Sequence, residues 1–360
     1  MKITNKIKSA NAIFFPQKLF YAPQWLVLGV NNLCNLHCKM CDVGTQSNET
    51  NFATNLVGTE PRDMPLELIR KIYDQAALYF PKTKMGYAFT EPLIYPHLVE
   101  SIAYATKKGL YTSVTTNALN LKKHAIDLCD VGLNDIMLSL DGPEEVHNFI
   151  RGHKSSFQRA MEGIEVLLTQ AKRPSISVFC VITEWNTEHL KSFVDFFAKY
   201  PLKQLGFMHT NFTPEPVASF HNSQWGHAYP ATVSNIAETQ VETTNLEELW
   251  VQIDSIKKST YKFPVTFSPE IKSSEALEQF YLEPEKLIGK RCNDVFSNIM
   301  IKSDGSVIPA HGRCYNLTVG NLYQNNLKEI WNSEVLGQFR KDLMKAGGLM
   351  PACSRCCSAF

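Results

Sequence analysis

Between Gln24 and Asn211 the chain alternates short apolar runs with amphipathic stretches, and no other feature limits its fold so strongly. The apolar runs are Gln24 to Val30, Met85 to Phe89, Tyr111 to Thr116, Asp135 to Leu140, Ser175 to Ile182 and Gln204 to His209. They read as strands. Between them, Pro65 to Phe80, Pro96 to Lys108, Leu121 to Cys129, Ser156 to Gln170 and Thr187 to Tyr200 carry apolar side chains at three- and four-residue spacing and read as helices. Strands alternating with helices imply a parallel sheet covered by helices. A closed eight-unit barrel takes about 250 residues, so six units need roughly 190, which matches the span 24–212. The expected class is α/β, a partial (β/α)6 TIM-type barrel.

Residues 1–23 precede the barrel as an N-terminal segment. After Asn211 the alternation weakens: TPEPVASFHNSQWGHAYPATVSN is rich in Pro, Asn, Ser and aromatics, and a helix follows near Asn245 to Lys257. Residues 213–284 read as a connector that also caps the barrel mouth. The stretch from His209 to Tyr229 would offer His209, His221 and His227 there for polar recognition of a substrate. A second unit is expected over 285–360. It opens on a hairpin in NIMIKSDGSVIPA that turns at Asp304-Gly305, then continues into a helix at Leu327 to Lys345 and a cysteine-rich tail.

Ten residues are cysteines, and they are clustered. Cys34, Cys38 and Cys41 lie near the start and Cys353, Cys356 and Cys357 in the tail, with Cys129, Cys180, Cys292 and Cys314 between. A chain of this size does not need disulfides to stabilise its core. It shows no signal-peptide pattern and no membrane-length apolar run, so the expected compartment is the cytoplasm, where such clusters hold metals or carry redox chemistry. With 36 basic and 35 acidic residues no bulk field favours nucleic acid or anionic lipid, and neither is an expected partner. Cys129, on a helix, and Cys180, in a strand, read as buried core thiols.

NNLCNLHCKMCDVG sets Cys34, Cys38 and Cys41 in C-x3-C-x2-C spacing directly after the first strand, at the end of a parallel barrel where active sites form. Three thiolates can hold three irons of a 4Fe-4S cube and leave the fourth open, whereas zinc would close with a fourth ligand such as His37 or His97. The spacing alone leaves both possibilities open. The loop resembles the signature of the radical S-adenosylmethionine (SAM) enzymes, with Met40 where that family usually places an aromatic residue near the adenine. Further segments match in order. AFTEPLIYP resembles the family's Gly-Gly-Glu-Pro element, with Phe89 and Thr90 in place of the glycines and Glu91 retained. SVTTNAL, containing Thr116 and Asn117, resembles the Thr-Asn-Gly segment with Ala118 for glycine, and SLDGPEEVHNFIRGHKSSFQRAMEGI matches the region after the fourth strand.

The resemblance implies a 4Fe-4S cluster on the three cysteines, with SAM chelating its open iron. Reduction would cleave SAM to a 5'-deoxyadenosyl radical. It also implies that Glu91 and the Thr90 backbone hold the SAM ammonium, Ser139 the ribose and Arg151 the carboxylate, with Met40, Thr116 and Asn117 completing the set. Each piece has a purely structural reading too: a helix start at Glu91-Pro92, a turn at Asp141-Gly142-Pro143, a surface cation at Arg151.

Cys292, Cys314, Cys353 and Cys356 come from two loops and can close a tetrahedral site, either zinc or a 4Fe-4S cube. The region RCNDVFSNIMIKSDGSVIPAHGRCYNLTVGNLYQNNLKEIWNS resembles the auxiliary-cluster module of radical SAM proteins, SPASM in its full form and twitch in its shorter one. That motif expects a cysteine where Ala310 stands, so Cys314 is taken as the displaced ligand. One auxiliary cluster is expected, on Cys292, Cys314, Cys353 and Cys356, with Cys357 spare and His311 an ordinary surface histidine.

The function implied is hydrogen abstraction from a substrate in the barrel mouth, with a fully thiolate-ligated second cluster passing electrons. A small molecule or carbohydrate undergoing oxidation or epimerisation is the leading substrate class, because only about 23 residues precede the first strand, fewer than a leader-binding domain needs. A peptide maturase is the alternative, and a non-catalytic iron–sulfur or zinc protein the competing class. A flavodoxin or ferredoxin is the electron donor that the resemblance implies.

Overall fold

The computed structural model describes residues 2–359, and side chains from Lys8 onward. Its strands are β1 (Trp25–Leu28), β2 (Lys84–Tyr87), β3 (Thr112–Thr116), β4 (Asp135–Ser139), β5 (Ser175–Ile182), β6 (Gln204–His209), β7 (Val265–Ser268), β8 (Asn298–Ile301), β9 (Ser306–Pro309) and β10 (Gly320–Asn321). The helices are α1 (Lys2–Phe14), α2 (Asn51–Leu56), α3 (Leu66–Tyr79), α4 (Leu98–Lys107), α5 (Leu121–Asp130), α6 (Glu144–Arg151), α7 (Ser156–Thr169), α8 (Leu190–Phe197), α9 (Glu215–Trp225), α10 (Leu246–Lys258), α11 (Ser274–Leu282), α12 (Leu327–Trp331) and α13 (Glu334–Lys345).

All ten strands join one sheet in the order β10-β9-β8-β1-β2-β3-β4-β5-β6-β7. β1 to β7 run parallel in sequence order, and this α/β sheet is the expected partial barrel. Side chains alternate across it with period two. Leu26, Leu28, Val114, Ile136, Leu138, Val178, Cys180, Leu205 and Phe207 are buried against the helices, while Val27, Thr115, Met137, Ser139, Phe179, Val181 and Met208 on the other face stay half-buried. The helices return the matching pattern. α7 buries Phe157, Ala160, Gly163, Ile164 and Leu167, and Gly163 lies so near α5 that a Cβ would meet the Leu121 side chain at 2.6 Å.

Two features differ from the expected outline. β7 is a seventh parallel strand inside the segment read as a connector, with Phe267 stacked on Phe207 at 5.1 Å. Second, the C-terminal hairpin is not set apart from the barrel. β8 pairs with β1 in parallel, Leu26 opposite Ile299 and Leu28 opposite Ile301, and β9 pairs back on β8. The sheet therefore runs unbroken across residue 285, and the C-terminal cysteines are carried by loops of the barrel's own sheet.

No helix among the described residues is long and apolar enough to cross a membrane. Cys129 and Cys180 are buried in the core, as their context predicts.

Candidate active site

The loop after β1 carries Cys34, Cys38 and Cys41 as free thiols. It is coiled tightly, with the Cys41 N–H donating to the Cys38 carbonyl at 3.2 Å and the Thr45 N–H to the Cys41 carbonyl at 2.9 Å. Two glycines wedge it from either side. A Cβ on Gly44 would collide with the Cys38 backbone, and one on Gly152 (φ +64°), which ends α6, would sit 2.6 Å from the His37 carbonyl oxygen. Burial pushes the Cys34 thiol up to about 11 and Cys38 up to about 12. These thiols do not ionise unaided at neutral pH, but a coordinated metal deprotonates a thiol outright, which suits ligation better than free-thiol chemistry.

Two polar groups reach this loop, one from the end of β3 and one from the last turn of α6. The Asn117 amide lies 3.9 Å from Cys34 Sγ and donates to Asn35 Oδ1 at 2.8 Å. Arg151 places Nη1 3.7 Å from Cys38 Sγ and donates from Nε to Asp141 Oδ2 at 2.5 Å. It is a buried, paired cation, not a surface one. Asp141 also accepts the Val181 N–H at 2.9 Å, so the pair is held to the fifth strand. Ser139 stands half-buried at the end of β4.

Other residues of the expected SAM set serve the cradle itself. Glu91 is only 1% exposed; its carboxylate accepts from Thr116 Oγ1 at 2.5 Å, the Asn117 N–H at 2.8 Å and the Leu93 N–H at 2.9 Å. It braces Thr116 and Asn117 in the cradle. Thr90 Oγ1 donates to the Asn31 carbonyl at 2.9 Å. Met40 is buried with Leu36, Cys38, Leu119 and Ile150, so it packs the loop against α6 and the segment after β3. Phe89 (φ +84°) and Ala118 (φ +63°) stand where the resemblance places glycines, and both adopt the left-handed backbone that glycine takes most readily.

At the C-terminal side, Cys292, Cys314, Cys353 and Cys356 line a cavity of about 80 Å³. Cys357 does not line it. Hydrogen bonds from Cys356 and His311 hold the Cys357 thiol well below its usual range, and His311, Cys356 and Cys357 bring their ligand atoms within 4.8 Å of one another. His311 is therefore no surface histidine. It is 7% exposed, with Nε2 2.7 Å from Ser358 Oγ, which donates to Asp294 Oδ2 at 2.6 Å. Burial disfavours its charged form, but Cys357 and Asp294 outweigh that and raise its pKa.

The thiol spacing bears on which metal fits. Around a single tetrahedral zinc, with Zn–S bonds of about 2.3 Å, the sulfurs lie roughly 3.8 Å apart. Among the described residues, His311, Cys356 and Cys357 are the sole His, Cys, Asp or Glu trio with ligand atoms within 4.8 Å. No three thiols of the β1 loop or of the cavity meet that mutual spacing. Three thiols on one loop and four around one cavity are donor sets that a 4Fe-4S cube takes.

The two cysteine sites are physically joined. Asp42, next to Cys41, accepts from Ser234 Oγ and the Asn235 N–H, each at 2.6 Å. Asn55 on α2 donates to the carbonyls of Gly312 at 3.0 Å and Cys314 at 2.8 Å. Phe89 stacks on His311 with ring centroids 5.6 Å apart. None of Asp42, Asn55 and Asn235 stood out in the sequence, because a polar residue in a loop gives no sign of a partner some 190 to 260 residues away. Arg355, inside the C-x2-C pair, is buried and donates to the carbonyls of Gln279 at 2.9 Å, Glu283 at 2.7 Å and Lys286 at 2.9 Å. It caps the C-terminal end of α11 and fixes the cysteine loop to it.

Of the three histidines expected at the barrel mouth, His209 and His221 are taken up by internal partners. His209 is on the outer face of β6, its Nδ1 2.9 Å from the Tyr281 hydroxyl, and burial pulls its pKa down to about 3. His221 is buried on α9 with Nε2 2.7 Å from the Tyr229 carbonyl. His227 is exposed. The stretch 211–235 covers the cysteine cavity, with Phe212, Thr213, Ala231 and Asn235 in its lining.

The sequence pattern of the Radical SAM superfamily matches residues 29–197, and that of SPASM, an iron–sulfur cluster-binding domain, matches 292–357. The chain thus carries a radical SAM domain and, after it, a SPASM domain. Radical SAM and SPASM domains imply SAM, a 4Fe-4S cluster and an auxiliary cluster as cofactors, in keeping with the donor sets above. The Fe-coproporphyrin III synthase of Methanosarcina barkeri (strain Fusaro / DSM 804) is 25% identical over 185 residues, 51% of this chain and 43% of that protein. The chain thus spans under half the length of that curated relative. Among solved structures, Streptococcus suis SuiB bound to its precursor peptide SuiA has a TM-score of 0.62 at 17% identity, covering 98% of this radical SAM chain and 74% of SuiB. AdoMet-bound anSMEcpe has a TM-score of 0.61 at 18% identity, covering 88% and 83%. At these identities the likeness is one of fold.

Proposed function

We propose that this radical SAM enzyme ligates its SAM-binding 4Fe-4S cluster through Cys34, Cys38 and Cys41 and one auxiliary cluster through Cys292, Cys314, Cys353 and Cys356, and that it modifies a peptide. The observation that carries the reading is the β1 loop, which bears three free thiols with Arg151 beside Cys38 and Asn117 beside Cys34. When bound and reduced, the cluster and SAM supply a 5'-deoxyadenosyl radical that removes hydrogen from an unactivated C–H bond.

The chain's own residues bind and orient. Arg151, oriented by Asp141, presents its remaining guanidinium N–H groups to a carboxylate, for which the planar fork is suited. Thr90 offers its backbone to the SAM ammonium, and Ser139 its hydroxyl to the ribose. Glu91 acts as a positioning residue by fixing Thr116 and Asn117, and Met40 seals the loop against water. The half-buried inner face of Thr115, Met137, Phe179, Val181 and Met208 forms the wall beside which the substrate sits.

The peptide reading draws support from the peptide-bound relatives, whose fold extends over 98% of this chain for SuiB and 89% for anSMEcpe with a Cys-containing peptide. A small-molecule substrate is the second reading, favoured by the porphyrin-synthase match. Four thiolates leave the auxiliary cluster no open iron, which suits electron transfer during a substrate oxidation. A flavodoxin or ferredoxin is the proposed donor.

Anaerobic reconstitution tests this directly. It predicts about eight irons per chain and 5'-deoxyadenosine on dithionite reduction with SAM. Zinc in place of iron, with no 5'-deoxyadenosine, would overturn it. Candidate peptides and porphyrins are then compared for incorporation of the abstracted hydrogen into 5'-deoxyadenosine.

A further inference from the structure

We infer that the turn joining α1 to β1 is a docking surface for anionic phospholipid bilayers, a partner that the overall charge balance argues against. The whole chain carries a net charge of +1, but that balance hides a local asymmetry. Lys2, Lys6, Lys8 and Lys18 fall within the first 20 residues, and no acidic residue precedes Asp42. Four large apolar side chains lie among them and face outward: Ile13 is 45% exposed, Phe14 73%, Phe15 61% and Phe20 70%. Scattered exposed apolar residues need no explanation. Four within eight positions, flanked by lysines, form a patch of the kind that marks an interaction site.

The exposure is built in by the surrounding structure. Asn11 is buried at 7% and ties the turn together, donating to the Lys18 carbonyl at 2.9 Å and accepting the Phe20 N–H at 2.8 Å. From the other side Asn332 accepts the Leu19 N–H at 2.8 Å and returns a bond to the Leu19 carbonyl at 3.1 Å. Leu19 and Ala12 point inward at 3% and 5% exposure, so the aromatics on either side of them are presented outward. Phe15 and Phe20 pack edge to face, with centroids 6.2 Å apart. Lys18 is exposed, and Lys8 Nζ sits 5.2 Å from the Tyr21 ring at the end of the turn.

Phenyl rings that enter the acyl boundary while lysines meet phosphate headgroups are the pattern of proteins that lie on a membrane surface without spanning it. The charge on the turn selects an anionic bilayer over an apolar protein surface, which would leave Lys18 and its neighbours unpaired. The turn enters β1 at its N-terminal end, whereas the cysteine loop leaves β1 at its C-terminal end. Docking through the turn therefore leaves the cluster loop on the far side of that strand.

The full-length, iron-reconstituted chain is sedimented with phosphatidylcholine vesicles with or without phosphatidylglycerol. Anionic vesicles should carry it down, neutral ones at least about tenfold less, and added salt should release it. Replacing Phe14, Phe15 and Phe20 together by Ser should weaken vesicle binding at least about tenfold, since each buried ring is worth roughly that factor or more. Iron content and circular dichroism report whether the variant is folded. Lys18→Glu, which leaves the rings in place, gives an independent loss. The proposal is overturned if the wild-type chain stays in solution with anionic vesicles, or if the triple variant binds them as well as wild type. A concentration-dependent dimer that the triple substitution abolishes would also overturn it, by assigning the patch to a second copy.

Discussion

Gly152→Ala should unseat the first cluster, and Gly109→Ala supplies its control. Both glycines have positive φ, +64° and +70°, so either alanine costs about 1–2 kcal/mol of backbone strain, offset by roughly 0.4–1 kcal/mol from the stiffer unfolded chain. Around Gly109 nothing lies within 4 Å of the added Cβ. That variant should lose about 1 kcal/mol and about 2 °C in melting temperature. At Gly152 the Cβ meets the His37 carbonyl oxygen at 2.6 Å, and ordinary contact begins at 3.4 Å. The backbone next to Cys38 must therefore retreat by about 0.8 Å, whereas metal–ligand distances tolerate about 0.2 Å. Overpacking adds about 1–3 kcal/mol. Gly152→Ala should hold about four irons where wild type and Gly109→Ala hold about eight, and should make no 5'-deoxyadenosine. Iron assay, the charge-transfer spectrum and chromatography of 5'-deoxyadenosine read the outcome. A Gly152→Ala protein with full iron and wild-type SAM cleavage would refute the wedge argument, as would equal iron loss in Gly109→Ala.

Cys38→Ala should abolish SAM cleavage yet keep about four irons, whereas Cys353→Ala should lose the auxiliary cluster and still make 5'-deoxyadenosine on dithionite reduction. Cys357→Ala should retain the wild-type iron content, because that thiol turns away from the cavity; loss of half the iron would make it a ligand. Arg355→Met leaves the α11 carbonyls without their donor and should cost about 2–4 kcal/mol, with the auxiliary cluster lost first on denaturant titration. His209 has a folded pKa of about 3 against an ordinary 6.5, so its contribution to stability is present above pH 6.5 and is lost as pH falls. Between pH 6.5 and 5 that amounts to about 2 kcal/mol. Denaturant midpoints of wild type and His209→Gln at both pH values should show the smaller acid loss in the variant.

The barrel was legible because its short apolar runs alternate regularly with strongly patterned helices. β7 was not: Val265–Ser268 lies between Pro264 and Pro269 and has no buried position, so neither alternation nor an apolar run marks it. The hairpin of β8 and β9 was legible from Asp304-Gly305, but its pairing with β1 depends on contacts that no local pattern encodes. His209 carried a usable signal that a composition argument overrode. Leu205, Phe207 and His209 share one face of a period-two strand, and that face packs against helices. His311 gave less warning, since its partners Asp294 and Ser358 are 17 and 47 residues away. The proposed cluster ligands stood out in the sequence because thiols are scarce and grouped. The cradle around them was not, because Asp42, Asn55 and Asp141 act through backbone groups and pairings that arise only on folding.

The β1–β8 pairing has a consequence for how the chain comes to be folded. β1 leaves the ribosome early, but the strand that covers its second edge follows roughly 270 residues later, which at cellular synthesis rates is a wait on the order of tens of seconds. Through that interval Trp25–Leu28 presents an open row of backbone donors and acceptors beside a loop of three reduced thiols. Metal delivery to that loop and protection of that edge thus fall within the same window of the protein's synthesis. A chain stalled or cut before Asn298 would keep the edge open indefinitely, as a template for pairing with its neighbours.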